Sequence, residues 1–211
     1  MPGQGETPCA NYSLENNIMF KMNRIVAAAL LSLIASPVFA AGDDSHVAKI
    51  EKILPEIVSA IVQDDVVAAL NAMNTKRDGL SQAEIDQLEA TWQQEIDSSN
   101  KPLVDSVVGN PLAARMRQVI DAREGLITEI GVVDAAGLSI AQSSRNSDIW
   151  QGDEPKWQKT YLVGPDAVFV DEVEFDKSTQ SFQSQANFTV KDPVTGQPIG
   201  TVTVGINMDA L

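Results

Sequence analysis

With 211 residues and 29 Asp+Glu against 15 Lys+Arg, the chain carries a formal charge of −14. That balance leaves no basic stripe for a nucleic-acid backbone or an anionic lipid surface, so no nucleic acid is expected as a partner; a small molecule or a protein is. A hydrophobic fraction of 44% with 21% charged residues suits a chain that buries a core and argues against wholesale disorder.

The segment ending at Ala40 has the parts of a secretory signal peptide in order: basic Lys21 and Arg24, an apolar run Ile25–Ile34, a Ser36-Pro37 break, and Val38-x-Ala40 before Gly42-Asp43-Asp44. Cleavage is expected after Ala40, which places the mature chain in the periplasm. The apolar run is too short to span a bilayer core of about 30 Å comfortably. Residues 1–21 are polar and patternless, so residues 1–40 are read as leader and signal peptide. Removing them takes away Lys21, Arg24, Glu6 and Glu15 and leaves the charge at −14. It also removes Cys9, the one cysteine, so the mature chain has no thiol, disulfide or Cys-ligated zinc.

From Ser45 to about Met73, apolar residues recur at Val47, Ile50, Leu54, Ile57, Ile61, Val66 and Leu70, the period of one long amphipathic helix, bent near Pro55 if anywhere. A second helix opens on the capping-box pattern Ser81-Gln-Ala-Glu84 and runs through Ile85, Leu88, Trp92 and Ile96. A third follows Asn110-Pro111, with Leu112, Met116, Val119 and Ile120 on one side. After Gly125 the texture changes to five strands: Leu126–Val133, Leu138–Ser143, Ala167–Phe175, Ser181–Val190 and Ile199–Ile206. Between the second and third lies a long crossover, with a helix-like piece at Glu154–Tyr161 that puts Trp157 and Tyr161 on one face. The fold class expected is α+β: a helical half, then a five-stranded antiparallel sheet with a helical crossover.

Three stretches carry a resemblance. Ile130-Gly-Val-Val-Asp-Ala-Ala-Gly-Leu-Ser-Ile-Ala-Gln-Ser143, the crossover Ser147–Tyr161, and Gly196-Gln-Pro-Ile-Gly-Thr-Val-Thr-Val-Gly-Ile-Asn207 resemble, in that order, the first hairpin, the pocket-side crossover and the closing strand of the Cache or PDC (PAS-like) sensor domains of histidine kinases and chemoreceptors. The resemblance divides the mature chain into a helical region, 41–101, and a sensor-like domain, 102–211. It implies a non-catalytic pocket between sheet and crossover that takes an amino acid, carboxylate or similar metabolite, with a membrane receptor or histidine kinase as partner in chemotaxis or related signalling. In a receptor the closing strand would lead into a membrane helix. Here the sequence ends at Leu211, so a free binding protein, or a subunit that presents its ligand state, is expected.

Within that frame Trp150, Trp157 and Tyr161 are candidate pocket walls, with capping of the sheet as core the alternative. Arg145 is a candidate for a ligand carboxylate, with a solvated salt bridge the alternative. Asp148 and Asp171 are candidates for an ammonium, Asp171 being placed by alternation on one strand face with Phe169, Val173 and Phe175. Arg115, Arg117 and Arg123 are expected in surface pairs. The polar set Gln183, Gln185, Asn187 and Thr189 either lines the pocket or meets water.

Signatures of catalysis are missing. His46 is the single histidine and has no metal-ligand spacing around it, which argues against a zinc site or a Ser-His-Asp triad. The EF-hand echo at Asn74–Glu84 would put Lys76 and Ile85 at ligand positions and reads as an interhelical turn. No cofactor is implied. The leading reading is a periplasmic ligand-binding sensor-type protein. The alternative is an interaction module that dimerises or docks through the long first helix, and a hydrolase or lyase comes third.

Overall fold

The computed structural model describes residues 45–176 and 180–211. The signal-peptide reading, the cleavage after Ala40 and Cys9 lie outside the described residues. The described residues all belong to one compact unit. Among the described residues, no helix is long and apolar enough to cross a membrane.

The expected single helix is two. Helix α1 (Ser45–Ile61) continues straight through Pro55, and the break comes later, at Val62-Gln63, before α2 (Asp64–Lys76). Pro55 removes one backbone donor from α1, whereas three groups act at the break. Asp64 and Asp65 sit in the first turn of α2, where carboxylates suit the positive end of the helix dipole. Arg115 donates to the carbonyls of Ala60 and Ile61, at 3.2 and 2.6 Å, satisfying orphan acceptors at the end of α1, and its Nε lies 2.5 Å from Asp65. Residues Ile50, Leu54, Ile57 and Ile61 are all buried, which leaves Glu51, Lys52, Pro55 and Glu56 on the outward face of α1.

Ser81 caps α3 (Gln82–Glu95) with the full capping box, and Asn110 caps α5 (Pro111–Asp121), both as the sequence indicates. Between them lies α4 (Pro102–Val108), which has too few residues to show a period. Its first-turn donors, the N–H groups of Leu103 and Val104, go to the buried carboxylate of Glu95, at 2.7 and 3.0 Å. Trp92, Ile85, Val104, Val107, Leu138 and Ile149 form a second, smaller core under this region.

The sheet is antiparallel and ordered β2-β1-β6-β5-β3, from β1 (Ile127–Asp134), β2 (Ser139–Gln142), β3 (Val168–Val170), β5 (Ser181–Lys191) and β6 (Pro198–Asn207). The expected strand 167–175 is interrupted at Asp171–Val173, and β4 (Glu174–Asp176) pairs separately with the start of β5. Chain order thus puts the first hairpin at one edge and carries the crossover to the other. The meander then returns until β6 closes beside β1.

Alternation divides the sheet into two unlike faces. Ile130 and Val132 of β1, Ala186, Phe188 and Val190 of β5, and Val202, Val204 and Ile206 of β6 pack with α1, α2 and α5 into the main core. The opposite face carries Glu129, Gln142, Gln183, Gln185, Asn187, Thr201 and Thr203. Most of these are buried, with Asn187 at 0% and Gln142 at 1% exposure. A sheet face that buries amides and hydroxyls needs polar company, and the crossover lies there.

Candidate functional site

The turn after β1 anchors the crossover at Trp150–Gly152 and again at Trp157. Asp134, fully buried, accepts from the N–H groups of Ala136 and Leu138, at 2.9 and 3.0 Å, and pairs with Arg77, the C-cap of α2, at 2.6 Å. Gly137 closes this turn at φ +77°, and a Cβ there would lie 2.6 Å from the Gly152 backbone, so the turn and the crossover touch where only glycine fits. Trp150 donates to the Ala136 carbonyl at 3.2 Å and Trp157 to the Asp134 carbonyl at 3.1 Å. Glu89 of α3 accepts from the N–H groups of Ile149 and Trp150, at 3.0 and 3.1 Å.

Held this way, the crossover and the polar sheet face enclose a cleft of about 670 Å³. Its walls come from β1 (Glu129), the crossover (Asn146, Asp148, Glu154, Lys156), the β3–β4 break (Asp171, Glu172), β4 and β5 (Gln183, Gln185). A recess of about 20 Å³ shares Glu129, Asn146, Lys156 and Gln185 with it and ends among Ser139, Gln142, Gln151 and Thr203. Seven carboxylates line the cleft: Glu129, Asp148, Glu154, Asp171, Glu172, Glu174 and Asp176. Among the described residues, the one cation lining it is Lys156, 13% exposed, 3.0 Å from Glu154. Such a field concentrates cations and repels free anions. Among the described residues, no group of three or more His, Cys, Asp or Glu is arranged to hold a metal ion.

The sequence-derived candidates separate. Asp148 and Asp171 both face the cleft. Asp148 accepts from Gln151 Nε2 and, at 3.2 Å, from Ser147 Oγ. Asp171 stands in the break between strands and not on a strand face with Phe169, Val173 and Phe175, because its carbonyl is taken out of the ladder. Ser184 Oγ donates to that carbonyl at 2.7 Å, and His46 Nε2 of α1 lies 3.0 Å from it. The backbone of Asp171 is thus gripped by two other elements of the fold.

Arg145 lies off the cleft: its guanidinium donates at 2.5 Å to the carbonyl of Ile96, the C-cap of α3. Trp150 covers the Asp134–Gly137 turn. Trp157 and Tyr161 stack on each other with ring centres 5.0 Å apart, on the same face as their spacing indicates, but neither lines the cleft. Burial, and secondarily the charge of Asp134, push the Tyr161 phenol above its usual range. Arg123 makes the expected surface pair, with Glu56 at 2.7 Å, whereas Arg117 donates to the carbonyls of Val108 and Ser143. Sequence reasoning missed Glu129, Asn146, Glu154, Lys156, Glu172, Glu174 and Asp176, whereas of the polar set on β5 Gln183 and Gln185 line the cleft, the first of the two alternatives the sequence left open. The spacing of Glu174 and Asp176 at i, i+2 is the strand-face signal available for that pair, whereas Glu172 stands in the break before β4.

No protein-family model and no curated protein matches the sequence. Among solved structures, the chain is similar to the ligand-binding domain of the Campylobacter jejuni chemoreceptor Tlp3 in complex with 4-methylisoleucine, at 12% identity and a TM-score of 0.36, covering 75% of this chain and 60% of that one. It is also similar to the ligand-binding domain of the Pseudomonas aeruginosa PAO1 amino-acid chemoreceptor PctC in complex with GABA, at 13% identity and a TM-score of 0.38, covering 75% and 62%. A third is the sensor domain of the V. cholerae histidine kinase DctB, at 15% identity and a TM-score of 0.35, covering 79% and 56%. These are sensor domains of chemoreceptors and histidine kinases. The chain spans 60% of the length of the Tlp3 domain and 62% of that of the PctC domain.

Proposed function

We propose that this protein is a non-catalytic, small-molecule-binding sensor-type domain whose ligand sits between the crossover and the polar face of the sheet. The observation that carries this reading is the cleft of about 670 Å³, which lies within the roughly 300–1,000 Å³ common for small-ligand sites. Its charge supports one of the ligand classes implied by the sequence resemblance over the other. Among the described residues, seven carboxylates around one lysine oppose a dicarboxylate and favour a ligand with an ammonium group. Asp148 and Asp171 are the partners for that ammonium. For an amino acid, the carboxylate partner is Lys156, with the amides of Asn146 and Gln185 beside it, and Arg145 has no part in binding. A periplasmic setting and a membrane receptor or histidine kinase that reads the occupied state complete the proposal.

The test is a thermal-shift screen of the purified chain against amino acids, diamines and dicarboxylates at low ionic strength. Amino acids or diamines should raise the melting temperature progressively with concentration, as mass action requires, and added salt should weaken the effect. A response confined to dicarboxylates, or no response in any class, would overturn the reading.

A further inference from the structure

The helix-covered side of the sheet carries a second cavity, unlike the first in chemistry. It is a groove of about 780 Å³ framed by α2, α4, α5 and β2, lined mainly by apolar groups, among them Ala69, Ala72 and Met73 of α2, Val107, Leu112 and Ile140, with Ser106, Asn110, Gln118 and Ser139 as its uncharged polar groups. Small side chains at 69 and 72 keep it open. The charged residues around it are Lys76, Arg77, Arg115 and Asp65. Two of the three cations are already neutralised, Arg77 by Asp134 at 2.6 Å and Arg115 by Asp65 at 2.5 Å. Lys76, exposed in the last turn of α2, makes no ion pair among the described residues. A chain with a charge of −14 therefore presents an apolar groove with one uncompensated positive charge at its rim.

An apolar trough with few, placed polar groups is the general form of a small-ligand site. A single cation beside it matches an amphiphile with a single negative charge. We propose that this groove binds a free, unbranched alkyl carboxylate, with the chain lying against Met73 and Leu112 and the carboxylate meeting Lys76. The proposal is independent of the acidic cleft, which lies on the opposite face of the sheet and repels anions.

Sodium dodecanoate, kept below its micelle concentration and titrated calorimetrically into the full chain, is the probe. Saturable binding of one dodecanoate per chain is expected. Each methylene removed from the probe should weaken binding about fourfold, the equivalent of burying one CH₂ less, so decanoate should bind about sixteenfold more weakly. Lys76→Glu, at an exposed position, should weaken dodecanoate at least tenfold while leaving dodecanol unchanged. Ala72→Trp, which fills the groove, should abolish binding of both, and Asp171→Asn should change neither. The proposal is overturned by non-saturable binding, by a chain-length series without that slope, or by indifference to Lys76→Glu. It is equally overturned if the chain ignores dodecanoate and sediments as a dimer that Ala72→Trp dissociates, since the occupant would then be a second copy, or if it binds only phosphatidylglycerol vesicles.

Discussion

Replacing Arg77 by Met tests whether the turn after β1 is the anchor of the crossover. Asp134 is completely buried and Arg77 is 12% exposed, so the substitution leaves a carboxylate charge in the interior without its cation. Breaking a buried pair from one side costs about 3–5 kcal/mol. Two N–H groups, of Ala136 and Leu138, still donate to Asp134, so the lower end, about 3 kcal/mol, is expected. For a domain of this size that is a fall of about 6–12 °C in melting temperature. Asp134→Ala should cost more, about 5 kcal/mol, because it strands both N–H groups as well as the guanidinium. Lys191→Met is the control. Its pair with Asp166 is equally short, 2.6 Å, but 53% and 81% exposed, so it should cost under about 1 kcal/mol. Urea unfolding followed by circular dichroism measures all three. If Arg77→Met costs no more than Lys191→Met, the turn does not anchor the fold in the way described.

Three further outcomes are expected. Gly137→Ala combines a left-handed backbone position with a Cβ 2.6 Å from the Gly152 backbone, and should cost about 3 kcal/mol by the same unfolding assay. Ser81→Ala removes one half of the capping box of α3 and should cost about 1 kcal/mol, read from the urea midpoint at unchanged slope. Backbone N–H donation from Thr195, with help from Asn71 and Val194, holds the Asp192 carboxyl below its ordinary value. Its contribution to stability is therefore present above the unfolded carboxyl's pKa and is lost as pH falls through the lower folded one, an acid-limb loss that Asp192→Asn should reduce.

Local chemistry was legible where both partners lie close in sequence. The Ser81–Glu84 box, the Asn110-Pro111 start of α5, the Asp134–Gly137 turn, and the i, i+4 placement of Trp157 and Tyr161 all follow from short-range rules, and the structure has each of them. The α1–α2 break was not legible, because Arg115, which holds it, lies 54 residues from Ile61. Arg145 misled for the same reason: its acceptor is a helix-end carbonyl 49 residues away, invisible to any motif. Asp171 was found as a candidate, yet its setting was misjudged. Alternation alone cannot show that His46, 125 residues distant, and Ser184 take its carbonyl out of the strand ladder. The cleft itself draws acids from β1, the crossover, the β3–β4 break and β4, which only the strand order brings together.

The central claim, that the acidic cleft holds an amine-bearing ligand, is tested most directly by calorimetric titration of the best hit from the amine and amino-acid screen into the wild type, Asp148→Asn, Asp171→Asn and Arg145→Gln. Asp148→Asn and Asp171→Asn should each weaken binding about tenfold or more, as loss of a charge-assisted hydrogen bond implies, while Arg145→Gln leaves it unchanged. Binding that ignores both aspartates, or that is lost with Arg145, would contradict the account.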